Sequence, residues 1–445
     1  MSTTSRGSFA LALSVLRSEG LRATMNRVFD RVEESRRVRA LQQLTHGDVR
    51  VVTQLDPPTV LNLFPVPLSP RRGGSQIQML DRLEREKNLR PVAVAYPKGG
   101  ALAVEVWTKE DSGIFSLDMA SGVGPAVAEA AHLLATTTVH IENLHGFPFE
   151  LLADLEAQGF RTALSIHDFT LFCRRPHLIE STTGRFCEYS RDSDRCRACL
   201  GDSGEEPPTS QTEYRRSAAQ ALGRASAVVY PSRFLRSAHR ELFHEHNRPA
   251  IEEVISPATS GREQSINKEA NPEIIGFVGG FSSHKGGALI GPIMDRITAE
   301  VPQIKAYVYG NGEDRFAGEI RSSGQVRVRG YYRQGALPSL LARDHVGVAV
   351  LPSIWPEAYA LVVDECLASG VPVVAFDLGA VGERLTSWGA GRLAPLDEGS
   401  DGLARAILDC VSSPPGVPGT VVDHLPRPED AARRHLALYR RLSSI

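Results

Sequence analysis

The sequence lacks the features that mark a membrane-spanning, secreted or nucleic-acid-binding protein. No apolar run reaches the roughly 18 residues that a helix needs to cross a bilayer. The apolar residues 9–16 are few, Ser14 interrupts them, and no small-residue cleavage site follows, so a secretory signal is not expected. The formal net charge is only −2, which argues against a nucleic-acid partner held by bulk electrostatics. These absences predict a cytoplasmic chain.

Cysteine is also scarce, and four of the six cysteines fall in one polar segment with the spacing Cys-x13-Cys-x8-Cys-x2-Cys. In a cytoplasmic chain such cysteines are thiols or metal ligands rather than disulfides. Four thiolates suit a tetrahedral Zn²⁺ that would order the loop and leave no open position for catalysis. The alternative is a set of unlinked thiols. The residues concerned are Cys173, Cys187, Cys196 and Cys199.

Residues 1–44 form a basic segment, with eight arginines against four acidic residues. Leu13, Leu21 and Met25 are among the apolar residues that recur at helical spacing. One interpretation is a helix that makes peripheral contact with the inner face of an anionic membrane. The other is an extension that packs on the body of the protein or forms a mobile tail. Liposome binding with and without this segment would separate the two.

Length and composition indicate a globular protein of two domains. The chain has 445 residues, 42% of them hydrophobic and 23% charged, so each half can bury its own core. Strand and helix patterns alternate, which predicts the α/β class with parallel sheets. We predict the following divisions: an amphipathic basic helical extension at 1–44, a first domain at 45–256 that includes a Cys-rich loop at 173–199, a linker at 257–272, a second domain at 273–427, and a final helix at 428–445.

The most informative stretch is residues 348–383, VAVLPSIWPEAYALVVDECLASGVPVVAFDLGAVGE. An apolar strand leads into a Pro/Trp loop, then a helical pattern that Gly370 ends, then a second buried strand. Glu357 lies in the loop, and Glu365 lies two helical turns further on, close to the same face. Ligands of open α/β sheets bind at this end of the strands, beside helix N-termini.

The two glutamates indicate what such a ligand would carry. Backbone N–H groups at a helix N-terminus favour diphosphate oxygens, whereas a carboxylate accepts hydrogen bonds from hydroxyl groups and repels bare phosphate. A ligand with both kinds of group, such as a nucleotide-diphosphate sugar, fits the pair. Two solvated glutamates in an ordinary βαβ unit are the alternative.

Other candidate residues follow predicted strands of the second domain. The strand at 274–278 leads into a Gly-rich loop with Gly279, Gly280, His284 and Lys285, and the lysine could hold a diphosphate. Gly310 and Tyr331 follow the next two strands.

In the first domain, Gly73 and Gly74 lie in the loop after the first strand, where either a close ligand approach or a plain turn is possible. His140, His145 and the pair His167-Asp168 lie at or near strand ends. His140 and His145 are interpreted first as satisfied core or cleft imidazoles, and His167-Asp168 as functional.

The Glu-x7-Glu pair, the following Ala-Ser-Gly-Val-Pro-Val-Val-Ala and the strand before it resemble the donor site of retaining GT-B glycosyltransferases of family 4, of the bacterial polysaccharide type. The resemblance covers residues 60–440 in outline and is sharp over 274–383. It implies a GT-B fold of two Rossmann-like domains facing a central cleft, with a last helix that crosses back to the first domain. It also implies retention at the anomeric carbon with no cofactor for catalysis.

The resemblance implies roles for individual residues, with two departures. Gly280 stands where the family usually has Arg, so that His284 could supply a donor instead, and Ala358 and Ala360 replace two glycines of the family's Glu-Gly-Phe-Gly-Leu. The implied catalytic residues are Glu357, His167 and Asp168. The implied donor-binding residues are Lys285, Glu365, Gly279, Gly280, His284, Ala358, Tyr359, Ala360, Gly310 and Tyr331. The implied acceptor-side residues are Gly73, Gly74 and His145.

The sequence therefore predicts a glycosyltransferase that moves a sugar from a nucleotide-diphosphate sugar to a hydroxyl of a glycan or lipid-linked acceptor, in cell-surface polysaccharide synthesis. Two alternatives stay open. One is a phosphorylase or epimerase of the same architecture. The other is a non-catalytic scaffold in a polysaccharide assembly.

Overall fold

The structure is a computed structural model in two compact units. It describes residues 60–68, 74–109, 112–201, 209–245, 248–258, 269–310, 312–313, 316, 320, 324–333 and 335–444. The predicted helical extension at 1–44, Gly73 and most of the predicted linker lie outside the described residues. None of the helices that the structure describes is long and apolar enough to cross a membrane.

The first unit is built on an eight-stranded sheet with the order β4-β3-β2-β1-β5-β6-β7-β8. Pairing is parallel except at β2–β3 and β3–β4, which form an antiparallel edge. Gly99 and Gly100, both with positive φ, make the two-residue turn between β2 and β3. The strands are β1 Leu61–Leu63, β2 Val92–Lys98, β3 Ala101–Trp107, β4 Ser112–Asp118, β5 Thr138–Ile141, β6 Arg161–Ser165, β7 Ala227–Tyr230 and β8 Ile251–Val254.

Helices connect the strands of the first unit, and side-chain caps fix where two of them begin. Ser210 and Glu213 form a reciprocal capping box at one N-terminus. Ser232 accepts a hydrogen bond from the Leu235 amide at another. The helices are α1 Gly74–Glu86, α2 Val123–Leu133, α3 Leu151–Ala157, α4 Ser193–Gly201, α5 Gln211–Arg224 and α6 Arg233–Leu242.

The second unit is built on a six-stranded, all-parallel sheet with the order β11-β10-β9-β12-β13-β14. This is the doubly wound Rossmann order, and the strand order reverses between β9 and β12. The strands are β9 Asn271–Phe277, β10 Lys305–Tyr309, β11 Val326–Gly330, β12 Val346–Leu351, β13 Val373–Phe376 and β14 Gly391–Ala394. β9 thus begins inside the range predicted as linker.

Helices cover both faces of this second sheet, and a separate apolar core lies under each layer. Phe277, Ile293 and Ile407 belong to one core, and Tyr309 and Leu367 to the other. The helices are α7 Ile290–Glu300, α8 Leu337–Arg343, α9 Leu361–Ala368, α10 Gly379–Trp388, α11 Gly399–Ser412 and α12 Gly419–His424.

The helix α13, Pro428–Ser443, follows the second unit in the chain but packs on α1 and β5 of the first. Pro428 occupies the first turn, where a missing N–H costs nothing. Acidic Glu429 lies in the first turn and basic Arg441 in the last, which complements the helix dipole. Tyr439 is fully buried. The α/β fold of two Rossmann-like domains that the sequence predicts is confirmed.

Candidate functional site

The loops after β9 and β12 leave the second sheet at the point where its strand order reverses. In parallel sheets this is where two neighbouring loops diverge and open a crevice for a ligand. Gly279, Gly280, His284 and Lys285 lie in the loop after β9. Glu357 lies in the loop after β12. The sequence-predicted donor residues of these two segments are therefore brought to one edge of the sheet.

Glycine allows the two loops to touch. Gly286 has a φ of 73°, and a Cβ built on it would lie 2.0 Å from the Pro352 carbonyl oxygen. The Ile354 amide donates to the His284 carbonyl oxygen at 3.1 Å, which ties the same two loops together. Gly279 and Gly280 also have positive φ, near 90°. The loop after β9 is thereby held against the loop after β12.

Lys285 and Glu357 form a direct ion pair within this contact. The Lys285 ammonium donates to Glu357 Oε1, and Ser353 Oγ donates to the same oxygen at 2.6 Å. The ammonium also lies 5.5 Å from the centroid of the Trp355 ring. The indole of Trp355 meets the His284 ring edge-on at 5.9 Å. A cation and an anion 72 residues apart in sequence thus share one small site.

The carboxylate of Glu357 is ionised although it is only 5% exposed. Burial on its own would raise its pKa, but the charge and hydrogen bond of Lys285 outweigh burial, and the hydroxyl of Ser353 adds to them. The pKa of Glu357 is therefore below its ordinary value. The site holds one fixed negative charge beside one partly exposed ammonium.

Glu365 lies on α9 and faces a different loop from Glu357. Its Oε1 accepts a hydrogen bond from the Gly335 amide at 3.1 Å, in the segment that follows β11. Tyr331 begins that segment and is half-buried. The neighbouring phenol of Tyr332 has a pKa raised well above its ordinary value by burial and by the Glu365 carboxylate. Glu365 and Tyr331 thus flank the β11 side of the edge.

Gly310 joins the loops after β9, β10 and β11. Its amide donates to the Gly330 carbonyl oxygen at 3.0 Å, and the Gly280 amide donates to the Tyr309 carbonyl oxygen at 3.2 Å. A Cβ on Gly310 would lie 2.8 Å from the Gly280 nitrogen. Three strand ends are therefore in backbone contact.

The segment between the two glutamates keeps a glycine-like backbone despite its alanines. Ala360, at the start of α9, has φ 65° and ψ 82°, a conformation that costs an L-residue about 1–2 kcal/mol. Tyr359 is buried, and its hydroxyl donates to Asp364 at 2.9 Å. Arg384 pairs with Asp364 and donates to the Tyr359 carbonyl oxygen at 2.7 Å. Ala358, also buried, precedes them.

The candidate residues of the first unit are more dispersed. His167 follows β6 and is largely buried. Its Nδ1 lies 3.2 Å from the side-chain amide nitrogen of Gln78 on α1. Asp168 shapes its own loop, because its Oδ1 accepts from the Thr170 amide at 2.7 Å. His145 is exposed and Gly74 begins α1. The structure does not pair His167 with Asp168.

His140 is a core imidazole, as the simpler interpretation predicts. It is fully buried, with Nδ1 2.7 Å from the Tyr439 hydroxyl and Nε2 2.8 Å from Ser165 Oγ. Burial lowers its pKa to about 4, so the ring is neutral.

Sequence reasoning missed a buried charged group around His140. Arg82 on α1 pairs with Glu142 after β5 and lies 3.4 Å from Glu86. Arg82 also donates to Asn62 at 2.9 Å and to Tyr439 at 3.2 Å. The sequence signal for this group was Asn62, a lone asparagine inside the apolar run of β1. A buried polar side chain needs a hydrogen-bond partner, so this residue indicated other buried polar groups nearby.

The four cysteines of the polar loop are all free thiols in this structure. Burial raises the pKa of the Cys173 thiol to about 11, with Cys187 and Cys196 close enough to add to the effect. Among the described residues no group of three or more His, Cys, Asp or Glu side chains is placed to hold a metal ion. Zinc at this loop is therefore a prediction from cysteine spacing alone.

Residues 261–418 match the family described as glycosyl transferases group 1. A curated relative, phosphatidyl-myo-inositol mannosyltransferase of Mycolicibacterium smegmatis, is 29% identical over 137 residues. That alignment covers 30% of this chain and 34% of the relative, so the chain matches about a third of that protein's length.

Solved structures resemble the chain over most of its length. Sucrose-phosphate synthase from Thermosynechococcus elongatus gives a TM-score of 0.60 at 16% identity, covering 87% of this chain and 99% of that one. HepE from Anabaena, solved in complex with UDP and glucose, gives a TM-score of 0.55 at 16% identity, and the match covers 87% of this chain and 100% of HepE. The chain therefore has the GT-B fold and carries, over residues 261–418, a segment that matches the glycosyl transferases group 1 family.

Proposed function

We propose that this protein is a retaining glycosyltransferase of family 4. It transfers a sugar from a nucleotide-diphosphate sugar to a hydroxyl group of a glycan or lipid-linked acceptor. The observation that carries the proposal is the Lys285–Glu357 pair, which lies at the reversal point of a Rossmann sheet within the segment that matches the family. HepE was solved with UDP and glucose, which supports a nucleotide-sugar donor.

The chemistry follows from where charge develops. As the bond between sugar and diphosphate breaks, negative charge grows on the diphosphate, and Lys285 with the backbone N–H groups of its loop stabilises it. Glu357 is ionised and repels phosphate, so it accepts hydrogen bonds from the hydroxyls of the sugar ring. Glu365, two turns along, serves the ribose hydroxyls. A diphosphate oxygen takes the acceptor proton, and no metal ion enters the scheme.

The first unit supplies the acceptor side in this proposal. We place the acceptor near His167, Asp168 and the loop before α1. The mannosyltransferase relative is named for a phosphatidylinositol, which favours a lipid-linked acceptor and peripheral contact with a membrane. A role in cell-surface polysaccharide synthesis follows from the family resemblance.

A structural zinc at Cys173, Cys187, Cys196 and Cys199 remains a separate proposal that rests on their spacing. Metal analysis of freshly purified chain would test it, with tight binding expected to survive purification. Less than about half an equivalent of zinc per chain would reject the site.

The decisive experiment is a melting assay with UDP, GDP, ADP and dTDP. We expect at least one nucleotide to raise the melting temperature, because a ligand that binds only the folded state stabilises it. Lys285→Ala should abolish that rise. Lys305→Ala is the matched control, since Lys305 is an exposed lysine at the opposite, amino end of β10.

Protection by none of the nucleotides, or equal protection of both variants, would contradict the proposed donor site. Protection of wild type without sugar transfer or donor hydrolysis would favour the non-catalytic scaffold instead. Phosphate-dependent release of sugar without a nucleotide donor would favour a phosphorylase.

A further inference from the structure

A cluster of buried polar side chains lies at the carboxyl edge of the first sheet, where β5 and β6 end against α1 and α13. The proposed function uses only His167 of this cluster. A small pocket opens beside it, and its polar lining includes Gln78, Arg82, Glu142, Ser165, His167 and His435. The question is what the buried carboxylate of Glu142 does there.

Glu142 is a fixed negative charge. Its side chain is 1% exposed and its Oε1 accepts from Arg82 Nη2. Burial would raise its pKa, but Arg82 and the nearby imidazoles hold the pKa well below its ordinary value. Oε1 also lies 3.3 Å from His140 Nδ1. The other oxygen, Oε2, faces His167 Nε2 at 3.9 Å.

The ring of His167 lies between two neighbours of different character. On one side the Gln78 amide nitrogen is 3.2 Å from Nδ1, so that Nδ1 accepts and Nε2 carries the proton. On the other side Nε2 makes no hydrogen bond with the described residues, and the carboxylate of Glu142 lies 3.9 Å away. A carboxylate behind one ring nitrogen favours the tautomer with its proton there and strengthens the other nitrogen as an acceptor.

We propose that Glu142 is the positioning residue for His167: it keeps Nε2–H turned toward its own carboxylate, so that the Nδ1 lone pair accepts a hydrogen bond from a hydroxyl of the acceptor in place of Gln78. The inference rests on the proposed function, which places the acceptor near His167. It also names the chemical class at this pocket. A hydroxyl can donate to the Nδ1 lone pair, whereas a fully ionised phosphate has no proton to donate.

Two carboxylates contact Arg82, and only one of them faces His167. Glu86, on the same helix as Arg82, is 1% exposed and 3.4 Å from its guanidinium. This makes Glu86→Gln a matched control for Glu142→Gln, since both remove one buried partner of Arg82. In either variant Arg82 keeps the other carboxylate together with Asn62 and Tyr439, so folding is expected to survive.

The first measurement needs no turnover. The ¹⁵N shifts of the imidazole nitrogens are recorded in the full chain, and His167→Asn identifies the signals. We expect the Nε2–H tautomer in wild type, in Glu86→Gln and in Glu142→Asp, which keeps the charge. In Glu142→Gln we expect a mixture of tautomers.

The second measurement is release of UDP from UDP-glucose, in which water takes the place of the acceptor, or the corresponding reaction of whichever nucleotide protects in melting. Glu142→Gln should lower kcat about tenfold or more with the KM for the donor changed less than about threefold, by analogy with the partners that orient metal-bound imidazoles, whose loss typically costs 10–100-fold. Glu142→Asp should recover most of kcat. If Glu142→Gln does not fold, Arg82→Met/Glu142→Gln gives the same test without an unpaired guanidinium.

An unchanged tautomer with wild-type kcat in Glu142→Gln would overturn the inference. So would an equal loss in Glu86→Gln, because that would show a purely structural role for both carboxylates. If wild type turns over no donor, the proposed function fails while the tautomer measurement still decides the position of the His167 proton.

Discussion

Glu357 is the side chain on which the proposed chemistry depends most, because its charge is buried and yet retained. Lys285 and Ser353 both donate to the same oxygen, Oε1. The second oxygen is not engaged by either of them. A bound sugar can therefore use Oε2 without breaking the pair that keeps the carboxylate ionised.

Replacement of Glu357 by Gln or of Lys285 by Ala should each lower the rate of sugar transfer roughly a hundredfold or more, the usual cost of losing one electrostatic group at the reacting centre. Initial rates at saturating donor measure this. Glu273→Gln, at the amino end of β9, is the control and should transfer sugar at the wild-type rate. Near wild-type rates in both site variants would refute the assignment.

The buried Glu86 gives stability an unusual pH dependence. Burial, assisted by the Glu142 charge, raises its pKa from 4.5 to about 7 in the folded chain in spite of Arg82. Between these two pKa values the folded state binds one more proton than the unfolded state, so stability falls as the pH rises through this range. The full penalty, about 3 kcal/mol, applies above pH 7.

Glu86→Gln mimics the protonated form, so it should raise the free energy of unfolding by up to about 3 kcal/mol at pH 8 and by little at pH 4.5. Urea unfolding at both pH values measures the difference. Glu84→Gln, an exposed position on the same helix, should show no such contrast. A gain that is the same at both pH values would contradict the assigned pKa.

The sequence predicts which site residues of the second unit lie together, because these residues follow strands with clear apolar patterns. Lys285 and Glu357 could be assigned to one site from the strands before them. Arg82 and Glu142 could not be paired in this way, because the partners of a buried charge depend on which helix lies across which strand. Hydrophobic periodicity does not carry that information.

At the scale of elements, the loops after β9 and β12 are packed directly against each other. Gly286 allows this, since any Cβ at that position meets the Pro352 carbonyl. The 3-10 turn Ser283–Lys285 just before it fixes the direction of the lysine. The position of Lys285 is therefore set by backbone packing as well as by its ion pair.

Gly286→Ala should lower the melting temperature and remove nucleotide protection, because the left-handed backbone alone costs about 1–2 kcal/mol and the steric clash displaces Pro352. Melting with and without the protecting nucleotide measures both effects. Gly291→Ala, in α7 with no atom within 4 Å of its Cβ, is the control and should retain protection. Full protection of Gly286→Ala would show that the loop contact does not hold the site.

The antiparallel edge of β2, β3 and β4 was not predicted. Pro97 lies inside β2, so the strand pattern in the sequence ends early, at Tyr96. β3 is buried on both faces and shows no alternation. The Gly99-Gly100 dipeptide between the two strands was the available signal, since such pairs favour two-residue hairpin turns.

At the scale of the whole molecule, the first unit is completed by a helix from beyond the second. Tyr439 of α13 hydrogen-bonds both His140 and Arg82 inside the first unit. Without α13 these polar groups would lose a partner, and a buried polar group without one costs about 1–3 kcal/mol. The packing of the last helix is thus part of the core of the first unit.

A chain that ends after Leu425 should lose the stability of the first unit and keep that of the second. Limited proteolysis with mass spectrometry would show cleavage within residues 60–258 and protection of residues 269–425. A chain shortened only after Leu442, which retains the buried Tyr439 and Leu442, is the control and should resist cleavage within residues 60–258 and 269–425 alike. Equal protection in both chains would contradict a structural role for α13.

The route of α13 constrains the order in which the protein is made. The ribosome synthesises every strand of the first sheet before it begins the second unit. The helix that covers His140 and Arg82 is synthesised only after the second unit. During translation the buried charges of the first unit therefore stay uncovered, and this unit can complete its core only after α13 has been synthesised.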